Sequence, residues 1–112
     1  MSPTSLPGMK TSSTIKGRDT AKNGAAFDAM KVLSQFDIAY LARGAVDSPA
    51  HISQAQKMIT KALSKQMSGK GYSFVEILSP CPTNWGKKPA DAMAFIREEQ
   101  SKYFPIGEYI DK

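Results

Sequence analysis

Apolar residues fall along this chain in two kinds of pattern. Ile38-Ala39-Tyr40-Leu41-Ala42 is apolar at every position. From Tyr72 to Leu78 the residues Phe74, Val75, Ile77 and Leu78 leave no clean polar face. Continuous runs of this length read as strands buried on both sides. Between them Ile52, Ala55, Ile59, Ala62, Leu63 and Met67 recur at helical spacing and predict an amphipathic helix with that stripe inward. Ser48-Pro49 opens it, with Ser as N-cap and Pro at the first helical position, and Ser68-Gly69-Lys70-Gly71 closes it. A strand, a crossover helix and a second strand make a βαβ unit, which is parallel and right-handed.

Two further helices flank that unit. Phe27, Met30 and Leu33, after the Asn23-Gly24 turn signal, predict a helix from about Ala25 to Gln35. Met93, Ile96 and Tyr103 predict another, from near Pro89 until Phe104-Pro105 stops it. Residues 1–24 have no period, hold Pro3, Pro7, Gly8, Gly17 and Gly24, and are rich in Ser and Thr. They read as a long irregular loop or a disordered tail. The expected fold class is therefore α/β, with about two parallel strands and three helices over residues 25–112. Two apolar strands do not make a stable sheet alone and are ill suited to two exposed edges. The expectation is a unit incomplete by itself, marginally stable or associating when expressed alone.

Composition narrows the class. One hundred and twelve residues make one domain at most, and 41% hydrophobic residues are ordinary for a globular protein. A formal net charge of +5 suggests an acidic partner (a phosphate cofactor, an acidic redox protein or nucleic acid) or simple solubility. Lys57, Lys61 and Lys65 repeat every four residues and read first as a solvated helix face. Neither a signal peptide nor an apolar stretch of membrane-spanning length is visible, so a cytoplasmic protein is expected, with no membrane partner. No Gly-x-Gly-x-x-Gly, Walker loop or Cys-x-x-Cys occurs. The only histidine, His51, reads as surface structure, and no Ser-His-Asp set forms around it. Arg43, at the carboxyl end of the first run, is either a solvated charge or one that faces an anionic cofactor or substrate. Glu76, inside the second run, is either a paired buried carboxylate or one on a solvated edge.

The chemistry gathers at Ser79-Pro80-Cys81-Pro82-Thr83-Asn84-Trp85. Here an apolar strand ends at a proline, and the only cysteine sits between two prolines. Ligand sites in open α/β sheets lie just beyond the carboxyl ends of strands, and the prolines stiffen the loop. The segment, with Ser73-Phe74-Val75-Glu76-Ile77-Leu78 before it, resembles the β subunit of the 2-oxoacid:ferredoxin oxidoreductases, in the branches acting on 2-oxoglutarate or branched-chain 2-oxoacids such as 2-ketoisovalerate. Ser2-Pro3-Thr4, Lys10-Thr11, Tyr40-Leu41-Ala42-Arg43 and the tail from Ile106 to Asp111 also match, so the resemblance covers nearly the whole chain.

The resemblance implies the C-terminal portion of a thiamine diphosphate-binding three-layer α/β/α domain. It implies that Met1 is internal to, or a truncation of, a longer subunit, with the thiamine motifs upstream. The implied reaction is oxidative decarboxylation of a 2-oxoacid with coenzyme A, giving acyl-coenzyme A, carbon dioxide and reduced ferredoxin. The implied cofactors are thiamine diphosphate, Mg2+ and a 4Fe–4S cluster. The implied partners are an α and usually a γ subunit, with ferredoxin. Ser2, Pro3 and Thr4 then border the cofactor, on a loop expected to be poorly ordered without its supporting strands. Lys10 faces the 2-oxoacid carboxylate, and Cys81 donates the last thiolate to the cluster. Two other readings stay open on the sequence: a small basic module binding nucleic acid or an acidic protein, although no nucleic-acid-binding signature is present, and a fragment with no activity.

Overall fold

Three strands form one sheet in the order β2-β1-β3 in a computed structural model that describes residues 4–112. The central strand β1 is Tyr40–Ala45, β2 is Ser73–Leu78 and β3 is Gly107–Asp111. β1 and β2 pair parallel, with Arg43 opposite Glu76, as the βαβ reading expects. β3 pairs antiparallel to β1, with a register shift between Leu41 and Ala42. The sheet is thus mixed and has one strand more than the sequence suggested. The tail from Ile106 to Asp111 carries too few apolar residues to announce a strand, because an outer strand buries only part of itself. β1 is thus paired on both sides, and among the described residues β2 and β3 each keep one unpaired edge.

Helix α3, Pro49–Met67, crosses one face of the sheet, with Ser48 accepting from the amide of His51 at its N-cap. Ala55, Met58 and Ala62 are its buried residues; Met58 and Ala62 pack on Tyr40, Ala42 and Val75. Gly44 lets this layer approach, since a Cβ there would lie 3.1 Å from that of Ala55 and 3.2 Å from Cδ1 of Ile77. The expected stripe is displaced: Ile52, Ile59, Leu63 and Met67 are exposed, Met67 at 89%. The lysine row is also not simply solvated. Lys61 pairs with Glu108 and Asp111, and Lys65 with Asp111. These pairs turn the lysine flank of α3 towards β3. At 100° per residue, Ile52, Ile59 and Leu63 then stand on the opposite flank.

The other face carries α2 (Ala29–Leu33), α4 (Pro82–Trp85) and a C-terminal helix, while the short α1 (Thr20–Asn23) before them has no buried residue. That helix runs as α5 (Pro89–Phe95), a π-helical turn (Ile96–Gln100) and α6 (Ser101–Tyr103). The helix expected from Ala25 to Gln35 is confined to Ala29–Leu33, because Asp28 accepts from the amide of Met30 and starts it late. Phe27 stays outside it and is exposed. Of the third stripe, Ile96 is buried, Met93 is half-buried and Tyr103 is exposed, and Phe104 goes inward instead. Met30, Ile38 and Leu41, with Phe74 against them, form one cluster under the sheet, and Leu6, Ala45, Leu78, Ile96 and Phe104 form another.

Arg43 overturns both of its readings. It lies inside β1, is wholly buried, and faces neither solvent nor an open ligand space. Its guanidinium pairs with Asp28 at 2.6 Å and with Glu76, donates to the hydroxyl of Tyr109, and lies 4.9 Å from the ring centroid of Phe104. Burial alone would raise the Asp28 carboxyl, but the hydrogen bond and charge of Arg43 outweigh it and hold it below the usual range.

The irregular segment also packs, where a poorly ordered loop was expected. Leu6 is buried, Gly8 and Met9 exchange backbone hydrogen bonds with Arg18, and Gly17 sits at φ +96° where a Cβ would meet the Gly8 carbonyl at 2.8 Å. Buried Arg18 donates to the carbonyls of Asn23, Gly24 and Ala25 and to the Ser5 hydroxyl. Ser2 and Pro3 lie outside the described residues.

Arg43→Met is expected to cost about 3 kcal/mol of unfolding free energy, since it leaves two partly buried carboxylates without their cation. Adding Glu76→Gln should restore part of that loss. Urea denaturation checks both, and a loss below about 1 kcal/mol for the single change would contradict the packing argument.

A second expectation concerns acid. Hydrogen bonds from Lys61 and Lys65 bring the Asp111 carboxyl down from its ordinary 3.8 to about 2. The unfolded chain therefore takes up the proton first, so this contribution is complete above about pH 4 and lost as pH falls towards about 2. Thermal midpoints between pH 2 and 5 should drop less steeply in Asp111→Asn than in the parent chain.

Candidate functional site

Beyond the carboxyl end of β2 the chain passes through Ser79 and Pro80 to Cys81, and then directly into α4. Pro82 occupies the first turn of α4, where its missing amide costs nothing. Cys81 is the N-cap residue by position, although its side chain makes no capping hydrogen bond. The thiol is free and half-buried. Gly86 ends α4 in the left-handed region at φ 61°, so the Pro-Cys-Pro segment is held between a strand end and a closed helical turn.

Cys81 lines a cavity of about 410 Å³. Its polar wall includes Thr4, Thr11, Glu76, Asn84 and Gln100, and its apolar wall includes Met9, Leu78, Trp85 and Phe104. Of the expected site residues, the structure therefore brings Thr4 and Cys81 to one space. It does not bring Lys10 there. Lys10 is exposed and lines two neighbouring depressions, beside Trp85 and Lys87 and beside Thr83 and Gly86. Glu76, whose environment the sequence left open, is paired with Arg43 and still reaches the cavity wall.

Asn84 couples the two segments that meet here. It is buried, its carbonyl accepts from the amide of Ser12, and its side-chain oxygen accepts from the Ser12 hydroxyl. Sequence reasoning did not single out Asn84, because a link across 72 residues has no local signal. Gln100 was missed for a related reason: a π-helical turn shifts the helical period just where its side chain goes inward. A third group did carry a signal. Asp47, four residues before His51, meets its Nδ1 at 2.6 Å with a buried carboxylate, and the Arg97 guanidinium donates to the Asp47 carbonyl. His51 is thus oriented rather than free on the surface.

Chemically, the cavity offers a thiol, a carboxylate, hydroxyls and carboxamides, and no cation among the described lining residues. No group of three or more His, Cys, Asp or Glu able to hold a metal ion occurs among the described residues. These residues therefore do not by themselves make a cluster site or a Mg2+ diphosphate site. A 4Fe–4S cluster takes four thiolates, and Cys81 is the only cysteine of the sequence. No helix among the described residues is long and apolar enough to cross a membrane.

Comparison with known proteins places the chain. No family model matches it, and no solved structure does. Among curated proteins it is 36% identical to ketoisovalerate oxidoreductase subunit VorA of Methanothermobacter thermautotrophicus, over all of this chain and 24% of that protein. It is 34% identical to the VorA subunit of Methanothermobacter marburgensis over the same shares. It is 32% identical to 2-oxoglutarate synthase subunit KorB of Methanocaldococcus jannaschii, over 88% of this chain and 34% of that subunit. The chain thus spans about a quarter to a third of the length of these relatives. The resemblance seen in the residues around Cys81 is a relationship by descent: this chain is a homologue of a part of the VorA subunit over its whole length, and of KorB over most of it, both subunits of 2-oxoacid:ferredoxin oxidoreductases.

Proposed function

We propose that this chain forms part of the β subunit of a 2-oxoacid:ferredoxin oxidoreductase, where Cys81 donates one thiolate to a 4Fe–4S cluster. One observation carries the reading. Cys81 and Thr4, which resemblance assigned to the cluster and to the border of the cofactor, line one cavity at the carboxyl end of β2. They are 77 positions apart in the sequence, and nothing local brings them together.

The reaction in this proposal is oxidative decarboxylation of a 2-oxoacid with coenzyme A, and electrons leave towards ferredoxin. Thiamine diphosphate would supply the carbon chemistry when bound, with Mg2+ on its diphosphate. This chain's share is narrower. The α4 turn and Pro80 hold the backbone at Cys81, which lowers the ordering cost of ligation. Asn84 ties the loop bearing Lys10 and Thr11 to the segment after Cys81. Thr4 borders the same space, as Ser2 and Pro3 would by resemblance. Lys10, exposed on the outer side of that loop, offers a positive charge to a 2-oxoacid carboxylate arriving from solvent. The remaining thiolates and the α and γ subunits lie outside these 112 residues.

In a complete enzyme carrying this segment, Cys81→Ser should lose or destabilise one cluster, seen as lower iron content, and abolish ferredoxin reduction. Thiamine diphosphate binding should largely survive. Full iron content with unchanged ferredoxin reduction would return Cys81 to a structural thiol. In the same enzyme Lys10→Ala should weaken 2-oxoacid use, read as a raised KM, while cofactor binding holds; unchanged 2-oxoacid kinetics would remove Lys10 from the site.

A further inference from the structure

The cavity beside Cys81 has features that a thiolate ligand does not use. Gln100 closes the π-helical turn and is more than nine-tenths buried. Its carboxamide oxygen has no hydrogen-bond partner, and its side chain lines the cavity. Buried acceptors are almost always paired, so an orphan one facing a cavity marks a place where a donor belongs. Single π-helical turns inside α-helices gather at functional sites. Glu76 is the only charged residue among the described lining residues. Its cation, Arg43, is shared with Asp28, so one guanidinium faces two carboxylates and the cluster keeps a negative charge. An anion entering the cavity would meet that charge with no lysine or arginine in the described wall to offset it. Met9, Leu78, Trp85 and Phe104 offer an apolar body somewhere to lie.

We propose that this cavity binds a neutral or cationic small molecule, whose apolar body packs against Trp85 and Phe104 and whose N–H or O–H donates to Oε1 of Gln100. The inference goes beyond the role proposed for Cys81 and does not require a metal. It assigns a recognition residue and a charge preference: the carboxylate end of a 2-oxoacid belongs outside this space, on the side of Lys10.

Trp85 is the only tryptophan and lines the cavity, so its fluorescence reports occupancy. The probes are benzyl alcohol, benzylamine and benzoate, similar in shape and different in charge and donor, titrated into the full 112-residue chain. The alcohol and the amine should give saturable changes, with benzoate at least about tenfold weaker. Gln100→Leu should weaken benzyl alcohol by roughly tenfold, the worth of one hydrogen bond, and leave benzoate unchanged. Should that variant fold poorly, the side-chain amide resonance of Gln100 in the parent chain serves instead, and it should shift on adding benzyl alcohol. Equal binding of benzoate, no saturable response to either donor probe, or no response of Gln100 would overturn the proposal. The two readings fail separately: iron content and ferredoxin reduction of the complete enzyme bear on Cys81, whereas the probe titrations bear on Gln100 in the 112-residue chain.

Discussion

A single buried guanidinium holds the layers of this protein together. Arg43 sits in the middle of the central strand, yet each of its contacts comes from a different part of the chain. Asp28 caps α2, Glu76 belongs to β2, Tyr109 to β3, and Phe104 ends the C-terminal helix. Placing a charge there is costly unless every donor direction is met, and that condition fixes how α2, β2 and β3 lie around β1. Hydrophobic burial supplies most of the driving force on both faces. The arginine restricts which arrangement that burial can reach, because a slip of one residue in β1 would swing it to the α3 face.

Much of the framework could be read from the residues. The parallel pair β1 and β2, the long α3 with its Ser-Pro start, and the end of β2 before Cys81 all follow from runs, caps and prolines. The departures have physical reasons. Arg43 looked like the end of a strand because charge usually marks a surface, whereas here its neutralising partners are 15 and 33 residues away. The stripe on α3 turned because three lysines and four large apolar residues compete for the two flanks. Ion pairs to Glu108 and Asp111 decide which flank meets β3. β3 itself was hidden, since Gly107-Glu108-Tyr109-Ile110-Asp111 alternates too weakly to be told from a polar tail.

The candidate site was legible in its centre and not in its rim. A lone cysteine between prolines after an apolar strand is a local signal. Its neighbours Thr4, Asn84 and Gln100 arrive by long-range packing. The segment before α1 shows how little composition says about order. Its prolines, glycines and hydroxyl residues suggest a tail, yet Arg18 donates to three carbonyls in a row and converts the stretch into a folded wall of the cavity. One long side chain with several donors does there what a ladder does in a sheet.

The shared ownership of Arg43 also sets an order of events. Contacts between β1 and β2 span about one helix and its turns, and Asp28 and Glu76 both precede the C-terminal helix, so a charged trio can assemble early from the βαβ unit. Phe104 and Tyr109 follow both carboxylates in the sequence, and β3 reaches β1 from 64 to 71 residues away. During synthesis from the amino end, the guanidinium therefore waits in water-accessible company until Phe104 and β3 emerge and close over it. β3 acts as a latch on a buried charge, and a chain lacking it would leave that charge facing solvent.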